Sequence, residues 1–251
     1  MHTVTQGLVL REVNYKEADK ILTVFTAEGG KRTVNARGCR RKGSRLAAAA
    51  QLLVWSDMTL FESRDRFVLN EAESREQFWG VKADVEKLAL GSYFAEVTEV
   101  VAEEGRGDGA LLSLVLNSLY ALDKLNKPLA LIKAAFELKL MCLTGYEPLL
   151  EACAACGAGH PADPRFHLSG GVLHCASCRG EVGDGISMPL TPTALAAMRH
   201  IVYGDAKRLF SFPIDAPGLE KLSHLCEAYL LTQLERGFHT LDFYKSLVPG
   251  L

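Results

Sequence analysis

The sequence predicts an α+β chain with a five-stranded barrel at its N-terminus and an α-helical domain after it, the helical part interrupted by a four-cysteine loop. Three observations carry this. Short β-branched or alternating runs fill the first part of the chain, an apolar repeat of three to four residues follows Gly80, and two Cys-x-x-Cys pairs sit in a glycine-rich stretch. The implied domains are 1–80 for the barrel and 81–251 for the helices, with 149–187 as an insertion. With 251 residues, 48% of them hydrophobic, the chain is long enough to bury a sizeable core, which excludes a disordered protein and a minimal disulfide scaffold.

Strands are expected over 8–13, 21–26, 31–37, 52–61 and 67–72. Gly29-Gly30 separates the second from the third, where a tight hairpin needs the positive φ that glycine adopts without steric cost. Side chains alternate along the third strand, so Val34 and Ala36 share one face while Lys31, Thr33, Asn35 and Arg37 share the other. Five strands in about 75 residues suit a small barrel of the OB or the SH3-like kind, and strand number does not separate these. The basic strand and loop favour the OB-fold, which commonly binds oligonucleotides along a strand face and its flanking loops.

Past Gly80 the period lengthens. Val85, Leu88, Leu90, Phe94, Val97 and Val101 form an apolar stripe on a helix of roughly twenty residues. Gly105, Gly107 and Gly109 interrupt it, and a second helix over 110–125 carries Leu112, Val115, Leu116, Leu119 and Leu122. Pro128 opens a third at the position where its missing N–H matters least; Ile132, Phe136, Leu140 and Leu143 follow before Gly145. Two more helices, 191–203 behind a Thr191 cap and 218–237 with Leu222, Leu225 and Tyr229 inward, are expected to pack with these.

The strongest motif lies between the third and fourth of these helices. Cys153-x-x-Cys156, an eighteen-residue gap and Cys175-x-x-Cys178 offer four soft ligands to one tetrahedral Zn²⁺. A closed Cys₄ shell leaves no position for water, so one structural zinc ion is expected. An iron–sulfur cluster is the alternative, because spacing alone does not fix the metal. His160, His167 and His174 are lesser ligand candidates, and Arg165 and Arg179 are placed to offset thiolate charge. Cys142 and Cys226, in apolar runs, are expected to be inert, whereas cationic neighbours should lower the pKa of Cys39.

The formal net charge of −2 argues against a uniformly basic coat, but it is unevenly distributed. Residues 1–80 hold 13 basic and 10 acidic residues, a net of +3, which leaves −5 for the rest. Lys31, Arg32, Arg37, Arg40, Arg41, Lys42 and Arg45 place seven cations in fifteen residues with no acid between them. Such a strand and loop can neutralise phosphates and release counterions, with Tyr15, Phe61 or Phe67 as candidate stacking platforms or as core residues.

No catalytic constellation emerges. Gly105-Arg106-Gly107-Asp108-Gly109-Ala110 has the letters of a dinucleotide motif but follows a helix instead of a strand. There is no phosphate-binding P-loop, no G-x-S-x-G elbow, no H-E-x-x-H, and no H-x-E partner for the cysteines. The N-terminus lacks signal-peptide character and no run of about 18 apolar residues occurs, which makes a cytoplasmic protein with reduced or metal-bound cysteines and no membrane association the expectation.

Gly7-Leu8-Val9-Leu10, then Tyr15-Lys16-Glu17-Ala18-Asp19-Lys20-Ile21-Leu22-Thr23-Val24-Phe25-Thr26, Gly29-Gly30-Lys31 and Ala36-Arg37-Gly38 closely resemble the N-terminal OB domain of the bacterial RecO family. Leu143-Thr144-Gly145-Tyr146-Glu147-Pro148 leading into Cys153-x-x-Cys156-Gly157 resembles that family's approach to its zinc loop. The resemblance implies a non-enzymatic DNA repair and recombination mediator that binds single- and double-stranded DNA and anneals complementary strands. It further implies partnership with RecR and the single-stranded DNA-binding protein, and through them the loading of RecA in the cytoplasm and at the nucleoid during repair. The DNA-binding positions it assigns here are Lys31, Arg32, Arg37, Arg40, Arg41, Lys42 and Arg45. A zinc-stabilised protein-interaction adaptor without direct DNA binding is the alternative.

Overall fold

The computed structural model describes residues 2–63 and 66–248. Five strands, β1 (His2–Tyr15), β2 (Asp19–Thr26), β3 (Gly30–Ala36), β4 (Trp55–Ser63) and β5 (Arg66–Glu76), form a closed barrel in the order β1-β2-β3-β5-β4. β1 is long enough to pair with β4 through its first half and with β2 through its second. The parallel pairing of Val34 with Phe67 and Asn35 with Val68 brings β5 beside β3. That order is the OB arrangement, and this step resolves the choice that strand number leaves open. Val9, Leu22, Val24, Val34, Met58 and Leu60 fill the interior.

The β2–β3 hairpin turns at Gly30, with φ of +60°. A Cβ there would come within 2.3 Å of the Glu103 and Arg106 carbonyl oxygens, so glycine serves both the turn and the close approach of the 103–109 segment. That segment is an interhelical loop, as its helical predecessor implies.

Among the described residues seven helices follow the barrel: α1 (Trp79–Lys82), α2 (Val85–Val101), α3 (Gly109–Lys124), α4 (Leu129–Leu143), α5 (Pro192–Tyr203), α6 (Ala216–Leu234) and α7 (His239–Leu247). Asp84 caps α2 by accepting from the Glu86 and Lys87 N–H groups, Asp108 caps α3, and Thr191 caps α5. The short α1 and α7 leave no sustained repeat for a sequence pattern to detect. By compactness the chain forms two units, Met1–Leu125 with Phe238–Val248, and Asn126–Gly237, so the expected helices divide between them.

In the first unit α2 lies on the barrel. Its Gly91 admits Leu53, whose Cδ1 would be 2.9 Å from an added Cβ. Arg11 on β1 pairs with Glu99 of α2 at 2.9 Å.

In the second unit α4 packs with α5 and α6. Lys133 of α4 is buried between Glu137, one turn on, and Glu227 of α6, at 2.9 and 2.8 Å. Burial pulls this ammonium down, but the two carboxylates outweigh it and hold the pKa above the ordinary lysine value. A small sheet of β6 (Pro164–His167), β7 (Val172–Cys175) and β8 (Ser187–Pro189), in the order β7-β6-β8, belongs to this unit. Phe166 of β6 meets Tyr229 of α6 edge to face at 5.1 Å. Among the described residues no helix is long and apolar enough to cross a membrane.

Candidate functional site

The seven cations of 31–45 fall into two groups. Lys31 and Arg32, on β3, are held by the fold. The Lys31 ammonium donates to the Glu99 carbonyl at 2.7 Å, near the end of α2. Arg32 has the same strand parity as Val34 and Ala36, and its guanidinium lies over the Phe67 ring at 4.6 Å. Phe67, a candidate stacking platform, is therefore covered by a cation. Phe61 packs with His2, while Tyr15 is exposed beside Lys16.

Arg37, Arg40, Arg41, Lys42 and Arg45 are all exposed, on the connection from β3 to β4. Its backbone is a succession of tight turns, in which the N–H groups of Arg41, Ser44 and Ala47 donate to the Gly38, Arg41 and Ser44 carbonyls at 3.1 to 3.2 Å. The Asp19 carboxylate accepts from the Gly38 N–H at 2.7 Å. Cys39, Ala49, Ala50, Leu53 and Val54 are buried and anchor the segment from within.

The expectation of a reactive Cys39 is thereby corrected. Burial raises its thiol pKa and outweighs the lowering effect of Lys20, because the cysteine belongs to the barrel core while its basic neighbours face solvent. Cys142 is pushed up by burial to about 11, and burial also raises Cys226 well above its ordinary value, in keeping with inert thiols.

Two cations outside the basic run join this surface. Lys20 of β2 and Lys82 of α1 line a groove with Arg40 and Arg41. Tertiary structure alone makes them neighbours, and their spacing in the sequence carries no sign of it.

The four cysteines of the second unit converge. Their sulfurs all lie within 4.8 Å of one another, and all four are free thiols. A tetrahedral zinc with bonds of about 2.3 Å sets its ligand sulfurs about 3.8 Å apart. The Cys156 and Cys175 sulfurs are 3.8 Å apart. The first knuckle is shaped by the Cys153 N–H donating to Ala158 and the Gly157 N–H donating back to Cys153, both at 2.9 Å. Gly157, with φ of +74°, makes that turn. The second runs from the end of β7 into a 3₁₀ turn, Ala176–Glu181.

Thiol electrostatics fit a cation at the centre. Burial alone would raise Cys153, but N–H groups of Cys156, Cys175 and Ala155 directed at its sulfur outweigh it and hold the pKa at about 6. Cys175 is pushed up to about 12 by burial and by the neighbouring Cys156 and Cys153 sulfurs. Cys178 is raised chiefly by Cys156. Four thiolates so close repel one another unless a metal shares their charge, and this set can hold one ion of the thiolate-binding kind.

His167, His174, Arg179 and Arg165 bond to backbone and side-chain groups of the same segment. His167 accepts at Nδ1 from the Gly170 N–H and donates from Nε2 to Asp184, at 3.1 and 3.0 Å. His174 is buried, with its ring nitrogens 2.8 Å from the Cys175 carbonyl and 2.9 Å from the Ser187 hydroxyl. Arg179 donates to the Gly183 and Gly185 carbonyls, and Arg165 pairs with Asp163 at 3.5 Å. Arg199 of α5 was without a sequence signal. Its guanidinium donates to the Leu150, Glu151 and Gly159 carbonyls at 2.9 to 3.0 Å and so ties down the approach to the first knuckle.

The comparisons with known proteins cover the same two parts of the chain. Residues 1–78 match the family described as "Recombination protein O N terminal", and residues 82–242 match "Recombination protein O C terminal". The chain is 32% identical over 243 residues to "DNA repair protein RecO" of Acetivibrio thermocellus, covering 97% of this chain and 96% of that protein. It is also 32% identical over 244 residues to the protein of the same name from Alkaliphilus metalliredigens, covering 97% and 98%. The corresponding protein of Symbiobacterium thermophilum is 32% identical over 245 residues, covering 96% of each chain. With a closed OB barrel in the N-terminal match and a four-cysteine cluster in the C-terminal one, the chain belongs to the recombination protein O family of DNA repair proteins.

Proposed function

We propose that this protein is a recombination mediator that binds single- and double-stranded DNA through its OB barrel and basic loop, anneals complementary strands and helps load RecA. It acts without catalysing a covalent step. The observation that carries the reading is the group of five exposed cations, Arg37, Arg40, Arg41, Lys42 and Arg45, on an ordered loop beside a closed OB barrel. Guanidinium and ammonium groups fixed in this way attract phosphates without selecting bases, which suits a protein that must accept any sequence. Lys31 and Arg32 contribute to the field of this face while their contacts serve the barrel.

Membership of a DNA repair family supports the remaining parts of the proposal. RecR and the single-stranded DNA-binding protein are the proposed direct partners, and RecA the indirect one. Cys153, Cys156, Cys175 and Cys178 hold a structural Zn²⁺, which supplies a rigid crosslink between the two Cys-x-x-Cys turns. Residues 1–80 act as the DNA-binding domain, 81–251 as the helical domain and 149–187 as its zinc-binding insertion.

Fluorescence anisotropy with a labelled oligonucleotide across a salt series tests the central claim. Each phosphate contact on a single strand contributes about −0.7 to the slope of log K against log salt, so five contacts give roughly −3.5. Replacing Arg40, Arg41 and Lys42 with Glu removes most of the affinity and flattens the slope, with zinc content unchanged. Undiminished binding and slope in that variant would overturn the assignment, and absence of binding by the wild-type protein would favour the adaptor.

A further inference from the structure

We infer that Trp79 is a base-stacking platform for single-stranded DNA at the mouth of a cationic groove that leads from the basic loop to α1. This extends the proposed DNA-binding function and rests on it.

The groove is built within the first unit. Lys20, Arg40, Arg41 and Lys82 supply its cations, Leu52 and Leu88 are among its apolar lining, and Glu12 is its one carboxylate. Glu12 is already committed, pairing with the Lys20 ammonium at 2.8 Å and accepting from the Leu52 N–H at 3.1 Å. Four cations against this single carboxylate give the groove a positive surplus, even though Glu12 also attracts the Lys82 ammonium. An apolar surface edged by cations is how a single strand is held, its bases against the former and its phosphates against the latter.

Lys82 links the groove to the indole. Its Nζ is 3.3 Å from the Gln51 side-chain oxygen and 5.6 Å from the centre of the Trp79 ring. Burial pulls the Lys82 ammonium below the ordinary lysine value, so this cation lacks part of its hydration and gains from an approaching phosphate. A strand whose phosphate meets Lys82 has its base within reach of the adjacent indole face.

The indole is presented by a fixed turn. Phe78, immediately before it, is buried in the left-handed region with φ of 48°, whereas Trp79 is 62% exposed. The Glu76 carboxylate accepts from the Gln77 and Phe78 N–H groups at 2.9 and 3.1 Å. On the other side the Gly80 N–H donates to the Asp123 carboxylate. The backbone around Trp79 is thus held from both directions; Lys82 lies over one face of the indole, and the ring, still 62% exposed, has the rest of its surface for a base.

The test compares labelled oligothymidylate of about 20 nucleotides with a duplex of equal length, both at low salt. Trp79→Ala is expected to lower single-strand affinity roughly tenfold and to leave duplex affinity within about twofold, because duplex bases are not available to stack. Trp79→Phe, which keeps an aromatic face, restores most of the loss. A second readout leaves position 79 intact: in Trp55→Phe the sole remaining tryptophan is Trp79, and its emission is quenched by oligothymidylate. Wild-type binding to the oligonucleotide with no loss in Trp79→Ala and no quenching overturns the stacking platform alone. Equal losses on single strand and duplex overturn it as well. No binding by the wild-type protein overturns the DNA-binding reading and the platform with it.

Discussion

The basic loop between β3 and β4 and the cysteine segment between α4 and α5 are both poor in regular structure, yet they are ordered by opposite means. The loop sends Cys39, Ala49, Ala50, Leu53 and Val54 inward. Its polar side chains are thereby left to the surface, where five cations stand exposed. The cysteine segment turns its most characteristic side chains toward one another, with four sulfurs in a cluster that no hydrophobic packing could hold together as thiolates. A loop anchored by apolar contacts has its charged groups free for a ligand, whereas a segment whose four sulfurs converge on one another has turned its most reactive groups inward. The same residue type shows the contrast: Cys39 is an apolar anchor with a raised thiol pKa, and Cys153, one of four sulfurs that could hold a metal ion, is held down at about 6 by N–H groups.

The largest expected effect separates the two anchoring modes. Structural zinc sites contribute on the order of 10 kcal/mol of binding free energy that is also folding free energy. Cys175→Ser is therefore expected to lose the bound metal, lower the urea midpoint and open residues 149–187 to proteolysis. DNA affinity measured by anisotropy should stay within about twofold, because the cations of the basic loop are ordered by barrel contacts. Metal analysis and limited proteolysis check the first part. Stoichiometric zinc retained in this variant would remove the four-cysteine site from the comparison.

How far each region is legible in the sequence depends on the range of the interactions that build it. The two Cys-x-x-Cys pairs announce the four-cysteine cluster because each knuckle is local, and only the joining of the pairs is long range. The strands are legible from alternation, but the parallel pairing of Val34 with Phe67 that places β5 beside β3 is not, since no local pattern encodes a partner so distant in the chain. α2 to α6 announce themselves through apolar stripes, whereas α1 and α7 are too short to establish one. Lys31 and Arg32 look like their basic neighbours in composition, yet one reaches a helix carbonyl and the other a ring. Strand parity was an available sign for Arg32, which shares the face of Val34 and Ala36. Lys20, Lys82 and Trp79 carry no such sign, because Lys20 and Lys82 come to line one groove only in the folded chain, where Lys82 also lies over the Trp79 ring.

A smaller effect probes the apolar anchor. Cys39→Ser keeps the volume nearly constant but sets a hydroxyl in the barrel core, where an unsatisfied buried polar group costs about 1–3 kcal/mol. Urea unfolding should show a destabilisation of that size, with zinc content unchanged and DNA affinity reduced because the turns that carry Arg40 and Arg41 loosen. This is the converse of Cys175→Ser, which removes metal and spares DNA binding. If Cys39→Ser instead lost zinc, or left stability untouched, the loop would not be held in the way its buried residues imply.

The smallest change tests whether the exposed cations act as independent phosphate contacts once the loop is anchored. Arg41 is exposed, so Arg41→Ala should leave unfolding within about 0.5 kcal/mol of the wild type. Binding to oligothymidylate should weaken, and the slope of log K against log salt should become shallower by about 0.7, the contribution of one single-strand phosphate. The slope matters more than the affinity, since a packing defect would weaken binding without changing the number of counterions released. A much larger drop in slope would mean that Arg41 organises its neighbours as well as contacting phosphate. No change would place the DNA on another part of the barrel and leave the basic loop an ordered but idle surface.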